Sequence, residues 1–209
     1  MGLFTIDIET LPSNRSEPVE SEERAQFLAE SLDGARGRIL CLSFVDELGL
    51  VPEEGVLGWS GERFTMDECK ILEDFWLRMR RFNVNRDRMV GHNILGFDLP
   101  FIYKRSRILG VEPTRWLSMA KYRSQPVYDT MREFDCWNWG PSTSLDSLAR
   151  AMGLEGKGGG IDGSKVYDYW RDGRHQELRA YSMGDAILAR QVYGRLVFEA
   201  QKFLRPITV

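Results

Sequence analysis

The chain predicts an α/β sandwich built on a partly parallel sheet. Strand-like apolar runs cluster at residues 3–10, 38–45 and 56–59, and strands then alternate with helical patterns up to a long final helix. With 209 residues, 43% hydrophobic and 11% aromatic, the chain is large enough for a sizeable core. Neither repeats nor an interdomain linker interrupt it, so residues 1–209 are read as one domain.

In residues 3–10, LFTIDIET, the residues Leu3, Phe4, Ile6 and Ile8 suit a buried strand. A polar, acidic insert at residues 12–37 follows, with a short helix expected over 17–32 and ended by GARG. Residues 38–45 (RILCLSFV) form a second strand and 56–59 a short third. Over 66–82, Ile71, Leu72, Phe75, Trp76 and Met79 recur at helical spacing, with Thr65 as N-cap. A strand at 89–92 precedes a helix at 99–109, whose first turn tolerates Pro100. Residues 127–130 form a fifth strand, and Thr143 or Ser144 caps a helix over 145–152. The last helix runs over 176–204.

Gly158, Gly160 and Gly163 satisfy the spacing G-x-G-x-x-G. A dinucleotide site needs those glycines between a strand and a helix, whereas here they follow a helix. The stretch reads as a connecting loop. Only His92 and His175 exist, which leaves little for a histidine-based metal site or triad. His92 is expected as a satisfied strand-end residue and His175 as a solvated one.

Acids in core elements ask for more explanation. Asp7 and Glu9 sit two apart in the first strand and therefore face one way, about 7 Å apart, where they repel and lose hydration. In the final helix Leu178, Tyr181, Asp185, Leu188, Val192 and Leu196 form one face, so Asp185 interrupts an apolar seam one turn after Tyr181. Asp98 precedes Leu99 and Pro100, where it reads as an N-cap, a role that leaves an oxygen for metal. Four acids from three segments suit Mg²⁺ or Mn²⁺, which take hard oxygen ligands. Two such ions can activate water and stabilise a leaving oxygen in phosphoryl transfer.

Asp7-x-Glu9, Asn93-x3-Phe97-Asp98 and Tyr181-x3-Asp185, in that order, resemble the three motifs of DEDD-superfamily 3′→5′ exonucleases. The Tyr-x3-Asp form resembles the tyrosine subclass; the histidine subclass needs His where Ala180 stands. GHNILGFDLPFI, TSLDSLARAMGL and GKGGGIDGSKVYDYW are similar to the exonuclease domain of family B DNA polymerases and to its stand-alone bacterial relatives. The resemblance implies a ribonuclease H-like fold with a central five-stranded mixed sheet. It implies two divalent cations, Mg²⁺ or Mn²⁺: Asp7, Glu9 and Asp185 would hold one, and Asp7 would bridge to a second held by Asp98 through water. Tyr181 would orient the attacking water, and Thr10, Asn93 and Phe97 would grip the terminal nucleotides. Turn formation by Asn93 and core packing by Phe97 are the competing readings. Lys157 is the preferred phosphate contact, with Lys165 the alternative.

The implied activity is release of nucleoside 5′-monophosphates from the 3′ end of a single strand, DNA favoured. An exoribonuclease and a non-catalytic nucleic-acid-binding module are the alternatives. Replication or repair partners would act in trans. Setting the four carboxylates aside takes the formal net charge from −3 to +1, so the remaining surface is not acidic. Arg78, Arg80 and Arg81, or Lys104, Arg105 and Arg107, form basic clusters that either meet a nucleic-acid backbone or are solvated helix faces. Cys41, Cys69 and Cys136 are scattered and odd in number, which disfavours a disulfide framework or structural zinc and fits a reducing cytoplasm. No signal peptide, myristoylation pattern or membrane span is evident, and no membrane partner is expected.

Overall fold

The computed structural model of the chain describes residues 1–12, 16–138, 140–156 and 161–203. The first apolar run becomes β1 (Leu3–Leu11), buried along its length except at half-buried Asp7. Burial on both faces is what a central strand requires. After β1 come α1 (Ser21–Ala29) with a 3₁₀ turn at Glu30–Leu32, then β2 (Arg38–Asp46) and β3 (Glu53–Leu57). A small hairpin of β4 (Trp59–Ser60) and β5 (Arg63–Phe64) leads to α2 (Glu68–Met79), β6 (Arg88–Gly91) and α3 (Asp98–Leu109). The remainder is β7 (Val127–Asp129), α4 (Thr130–Phe134), α5 (Leu145–Ala151), α6 (Val166–Arg171), α7 (His175–Leu196) and α8 (Ala200–Phe203).

The main sheet has five strands in the order β3-β2-β1-β6-β7. β1 and β2 are antiparallel, as are β2 and β3, whereas β6 runs parallel to both β1 and β7. This is the mixed five-stranded sheet of a ribonuclease H-like exonuclease fold, flanked by helices as expected. On one face Phe4, Ile6 and Ile8 pack with Phe75, Trp76 and Ile102 from α2 and α3. α7 covers the other face. It comes close through small residues: Ser182 Oγ lies 2.6 Å from Ser43 Oγ of β2, and buried Ala186 and Ala189 follow. Arg190 holds the helix down by a double contact to Glu47 at 2.9 and 2.7 Å.

The helix expected over 17–32 begins only at Ser21 and tightens to a 3₁₀ turn at Glu30, and three further boundaries differ from the sequence expectation for local reasons. The α2 N-cap is Asp67, whose carboxylate accepts from Lys70 N, because Met66 takes a left-handed φ of 61° and delays the helix. The third strand lies earlier, since Gly58 turns the chain at φ 89° and Trp59 joins the hairpin instead. The final helix stops at Leu196, and a left-handed Phe198 separates it from α8.

The acidic insert is docked on its own chain. Arg24 pairs with Glu17 and Asp168, both at 2.6 Å, and Phe27 meets Tyr167 edge-on at 5.2 Å. Of the basic clusters at the end of α2 and on α3, Arg81 pairs with Asp46 at 2.6 Å, and Arg78 reaches Glu53 at 2.8 Å. Arg105 grips Glu68 through both arms at 2.9 and 2.8 Å. Those three are internal ties.

Candidate active site

In the β1–β2 register Asp7 stands opposite Ser43 and Glu9 opposite Cys41, on the side facing α7. Because Ser182 bonds to Ser43, the turn of α7 carrying Tyr181 and Asp185 is drawn over these two positions. One carboxylate oxygen each from Asp7, Glu9 and Asp185 lies within 4.8 Å of the others. Glu9 and Asp185 are buried, whereas Asp7 is half-buried and leaves the cluster open on its side. Three hard-oxygen donors at this spacing, two of them buried, fit a divalent cation. A register irregularity between Glu9 and Thr10 shifts the pairing just past the acids.

Asp98 enters differently. It is the first helical residue of α3, and the N-cap is Phe97, which makes no side-chain cap bond. Parallel pairing of β1 with β6 spans Leu3 to Thr5 only, so further along Ile8 N–H is available. It donates to Asp98 Oδ1 at 3.1 Å. Asp98 is thereby tied to the backbone between Asp7 and Glu9, though outside their 4.8 Å group. Burial pushes its carboxyl up to about 7, and the charges of Asp129 and Asp185 add to the rise.

Tyr181 lies one helical turn before Asp185 and is hydrogen-bonded to it. Burial raises its hydroxyl far above the usual phenol range, as do the charges of Glu9, Asp185 and Asp7. The phenol therefore stays protonated, a donor rather than a base. Beside Tyr181 and Asp185 a cleft of about 420 Å³ runs along α7, bounded across by Gly156 and Ile161.

The remaining site residues are placed as follows. Thr10 is buried, and its hydroxyl donates to Ser31 O at 2.7 Å. Asn93 has a left-handed φ of 57°, and its carbonyl accepts from Gly96 N and Phe97 N, both at 2.9 Å, so it forms the turn. A side chain at Gly96 would displace the Asn93 amide. Phe97 is half-buried, packed against the main core with its ring 5.5 Å from Phe101. Lys157 lies outside the described residues, as do Gly158 and Gly160, while Lys165 is exposed at the end of a 3₁₀ turn near Asp162.

His92 is satisfied as expected, between Thr130 Oγ1 at 3.0 Å and Thr143 O at 2.9 Å. His175 departs from its expected solvation: it is half-buried, and its Nδ1 accepts from Phe64 N at 3.4 Å.

Sequence reasoning passed over Asp129. It is fully buried at the end of β7, and Oδ1 accepts from the backbone N–H groups of Asn93, Met131 and Arg132 at 3.0 to 3.2 Å. Oδ2 accepts from Leu95 N at 3.0 Å. One carboxylate thus caps α4 and shapes the loop leading to Asp98. Burial raises it even so. The signal available was an Asp closing a strand just before Thr130 and a helix.

Among the described residues no helix is long and apolar enough to cross a membrane. No curated protein matches the chain. A family described as "Predicted 3'-5' exonuclease related to the exonuclease domain of PolB" matches residues 55–204. The match includes Asp98, Tyr181 and Asp185 and begins after β1, so it is the geometry that brings Asp7 and Glu9 to Asp185. Matched over most of its length, and folded as such an exonuclease, the chain belongs to this family of predicted 3′→5′ exonucleases related to the PolB exonuclease domain.

Proposed function

We propose that the protein is a metal-dependent 3′→5′ exonuclease of the tyrosine subclass, acting on single-stranded nucleic acid, DNA in preference to RNA, and releasing nucleoside 5′-monophosphates. The observation that carries this reading is the gathering of Asp7, Glu9 and Asp185 oxygens within 4.8 Å beside the protonated Tyr181 hydroxyl. Asp7, Glu9 and Asp185 would hold one divalent ion, and Asp7 with Asp98 a second. When bound, such a pair supplies an activated water and stabilises the leaving oxygen.

The chain's own groups do the rest. Asp98, held at Ile8 N–H, keeps its carboxylate fixed against β1. Tyr181, whose hydroxyl bonds to Asp185 in this structure, would turn that hydroxyl to orient the attacking water. The half-buried ring of Phe97 presents its open part to the terminal base, and the Asn93 side chain is available to the sugar. Thr10, whose hydroxyl is committed to Ser31, would serve through its backbone beside Glu9. Lys157 is retained as the phosphate contact. Proofreading or repair alongside a partner in trans would use this same site.

The test is digestion of 5′-labelled single-stranded DNA and RNA with Mg²⁺, Mn²⁺ or chelator. A ladder shortening from the 3′ end, absent with chelator and absent on a closed circular strand, is expected. Cleavage that persists in chelator, or rapid cutting of the circle, refutes the proposal.

A further inference from the structure

A second hollow lies against the loop that leads to Asp98. It holds about 170 Å³, below the ~300–1,000 Å³ of a typical small-molecule site and suited to one flat ring system. Leu95 and Gly96 form one side; the rest comes from Met119, Lys121 and Tyr122 and from Arg132, Trp137 and Asn138. The Tyr122 and Trp137 rings are 5.3 Å apart and inclined at 40°. Tyr122 is 66% exposed, an unusual position for a ring with no core to fill.

The backbone here is held in costly conformations. Asn93, Tyr122, Cys136 and Trp137 have φ of 57°, 61°, 50° and 58°, in the left-handed region that favours glycine. Tyr122 and Trp137 line the hollow, and Asn93 and Cys136 adjoin residues that do. Strain of this kind clusters at ligand sites. The hollow is also braced to the candidate active site, since Asp129 accepts from Leu95 N on one wall and Arg132 N on the other. The Arg132 side chain has no hydrogen bond or salt bridge with a described residue, and its charge is felt by the Asp129 carboxylate.

A nucleic-acid single strand alternates a flat base with an anionic phosphate. Two inclined aromatic rings beside a guanidinium that makes no salt bridge with a described residue match that alternation. We propose that this hollow is a second nucleotide subsite, which takes an unpaired base of the substrate strand against Tyr122 and Trp137 while Arg132 meets an adjoining phosphate. The proposal rests on the exonuclease reading for its ligand and extends it from the terminal nucleotides to the strand behind them.

Anisotropy of a 5′-labelled oligothymidylate, titrated in chelator so that nothing is cut, tests it. Tyr122→Ala should raise Kd about tenfold, within the usual worth of one stacked base, and Tyr122→Phe should restore it. Arg132→Gln should reduce the slope of log K against log salt by about 0.7, the loss of one single-strand phosphate contact. Should Tyr122→Ala melt early, the Phe variant and the Arg132 salt slope decide. Wild-type affinity in Tyr122→Ala with an unchanged slope in Arg132→Gln overturns the subsite, as does failure of the wild type to bind the strand. Shortening of the same oligonucleotide in Mg²⁺ is scored separately. Shortening without any Tyr122 effect refutes the subsite alone, and Tyr122-dependent binding without shortening refutes hydrolysis alone.

Discussion

Asp87 and Asp98 are both buried carboxylates at the start of an element, and their surroundings treat them in opposite ways. Burial alone would raise both. Asp87, just before β6, is met by the Arg86 fork at 2.8 and 2.9 Å and by Asn83 N–H and Gly2 N–H at 3.0 and 2.9 Å. Those partners outweigh the burial and pull it down to about 2. Asp98 has its own N–H and that of Ile8, no ion pair with any described residue, and acidic neighbours in Asp129 and Asp185; it rises to about 7. A carboxylate supplied with donors and a guanidinium is part of the scaffold. One buried beside other acids and given few donors is what the proposed metal site would use.

The sharpest way to break this contrast is to remove a site carboxylate. Asp7→Ala or Asp185→Ala should abolish cleavage while the fold persists, because repulsion among buried acids is relieved. Mg²⁺ or Mn²⁺ should raise the melting temperature of the wild type by binding the native state. The same titration should leave either variant's melting temperature nearly unmoved. A variant that gained as much from metal as the wild type would remove these acids from the ligand set.

Next in size is the hydroxyl that the cluster keeps protonated. Tyr181→Phe retains the ring's packing and deletes one donor. Turnover should fall about 10²-fold or more with little change in substrate affinity. Single-turnover kinetics separate the two quantities, and an undiminished rate would return Tyr181 to a packing role.

The comparison also explains what could be read from the residues in order. Asp7, Glu9 and Asp185 were legible because strand and helix periodicity place them on faces that should be apolar, and the contradiction itself is the signal. Asp98 was legible as chemistry but not as geometry: its capping position looked local, whereas the bond to Ile8 N–H depends on where β6 stops pairing. Asp129 was invisible because its four partners are backbone groups 2 and 3 residues after it and 34 and 36 before it, and no spacing rule reports a loop that folds back. The sheet followed from alternation, while the start of α2 turned on one left-handed Met66 that propensity does not register.

Asp129 therefore lies between the two extremes, with donors as numerous as those of Asp87 and a raised carboxyl like that of Asp98. Asp129→Ala leaves four backbone N–H groups unpaired and should lower stability by at least about 3 kcal/mol, at roughly 1–3 kcal/mol per orphaned buried group. If Asp129 shapes the Asn93–Phe97 loop for substrate, KM for a single strand should rise in the milder Asp129→Asn, which keeps one accepting oxygen. Urea denaturation and steady-state kinetics measure the two effects. Unchanged stability in the alanine variant would show that the loop holds without its anchor.

The smallest effect is confined to acid pH and tests the scaffold side. Asp87 has its folded value, about 2, below the ordinary unfolded one, so its stabilisation is full above pH ~4 and is lost as pH falls through 2. The shift corresponds to a contribution on the order of 2 kcal/mol. Asp87→Asn cannot titrate, so the gap in unfolding free energy between it and the wild type should be wide at pH 5 and narrow as pH approaches 2. A gap of constant width would mean that Asp87 acts by shape rather than charge. Asp98 carries the opposite sign in metal-free protein. Its raised value makes ionisation cost stability as pH climbs from ~4 through 7, so Asp98→Asn should be the more stable of the pair at pH 8 in chelator. The two asparagine variants, unfolded in urea at pH 5 and pH 8, should move in opposite directions from the wild type. Movement in the same direction would dissolve the distinction between a carboxylate built into the frame and one kept for an ion.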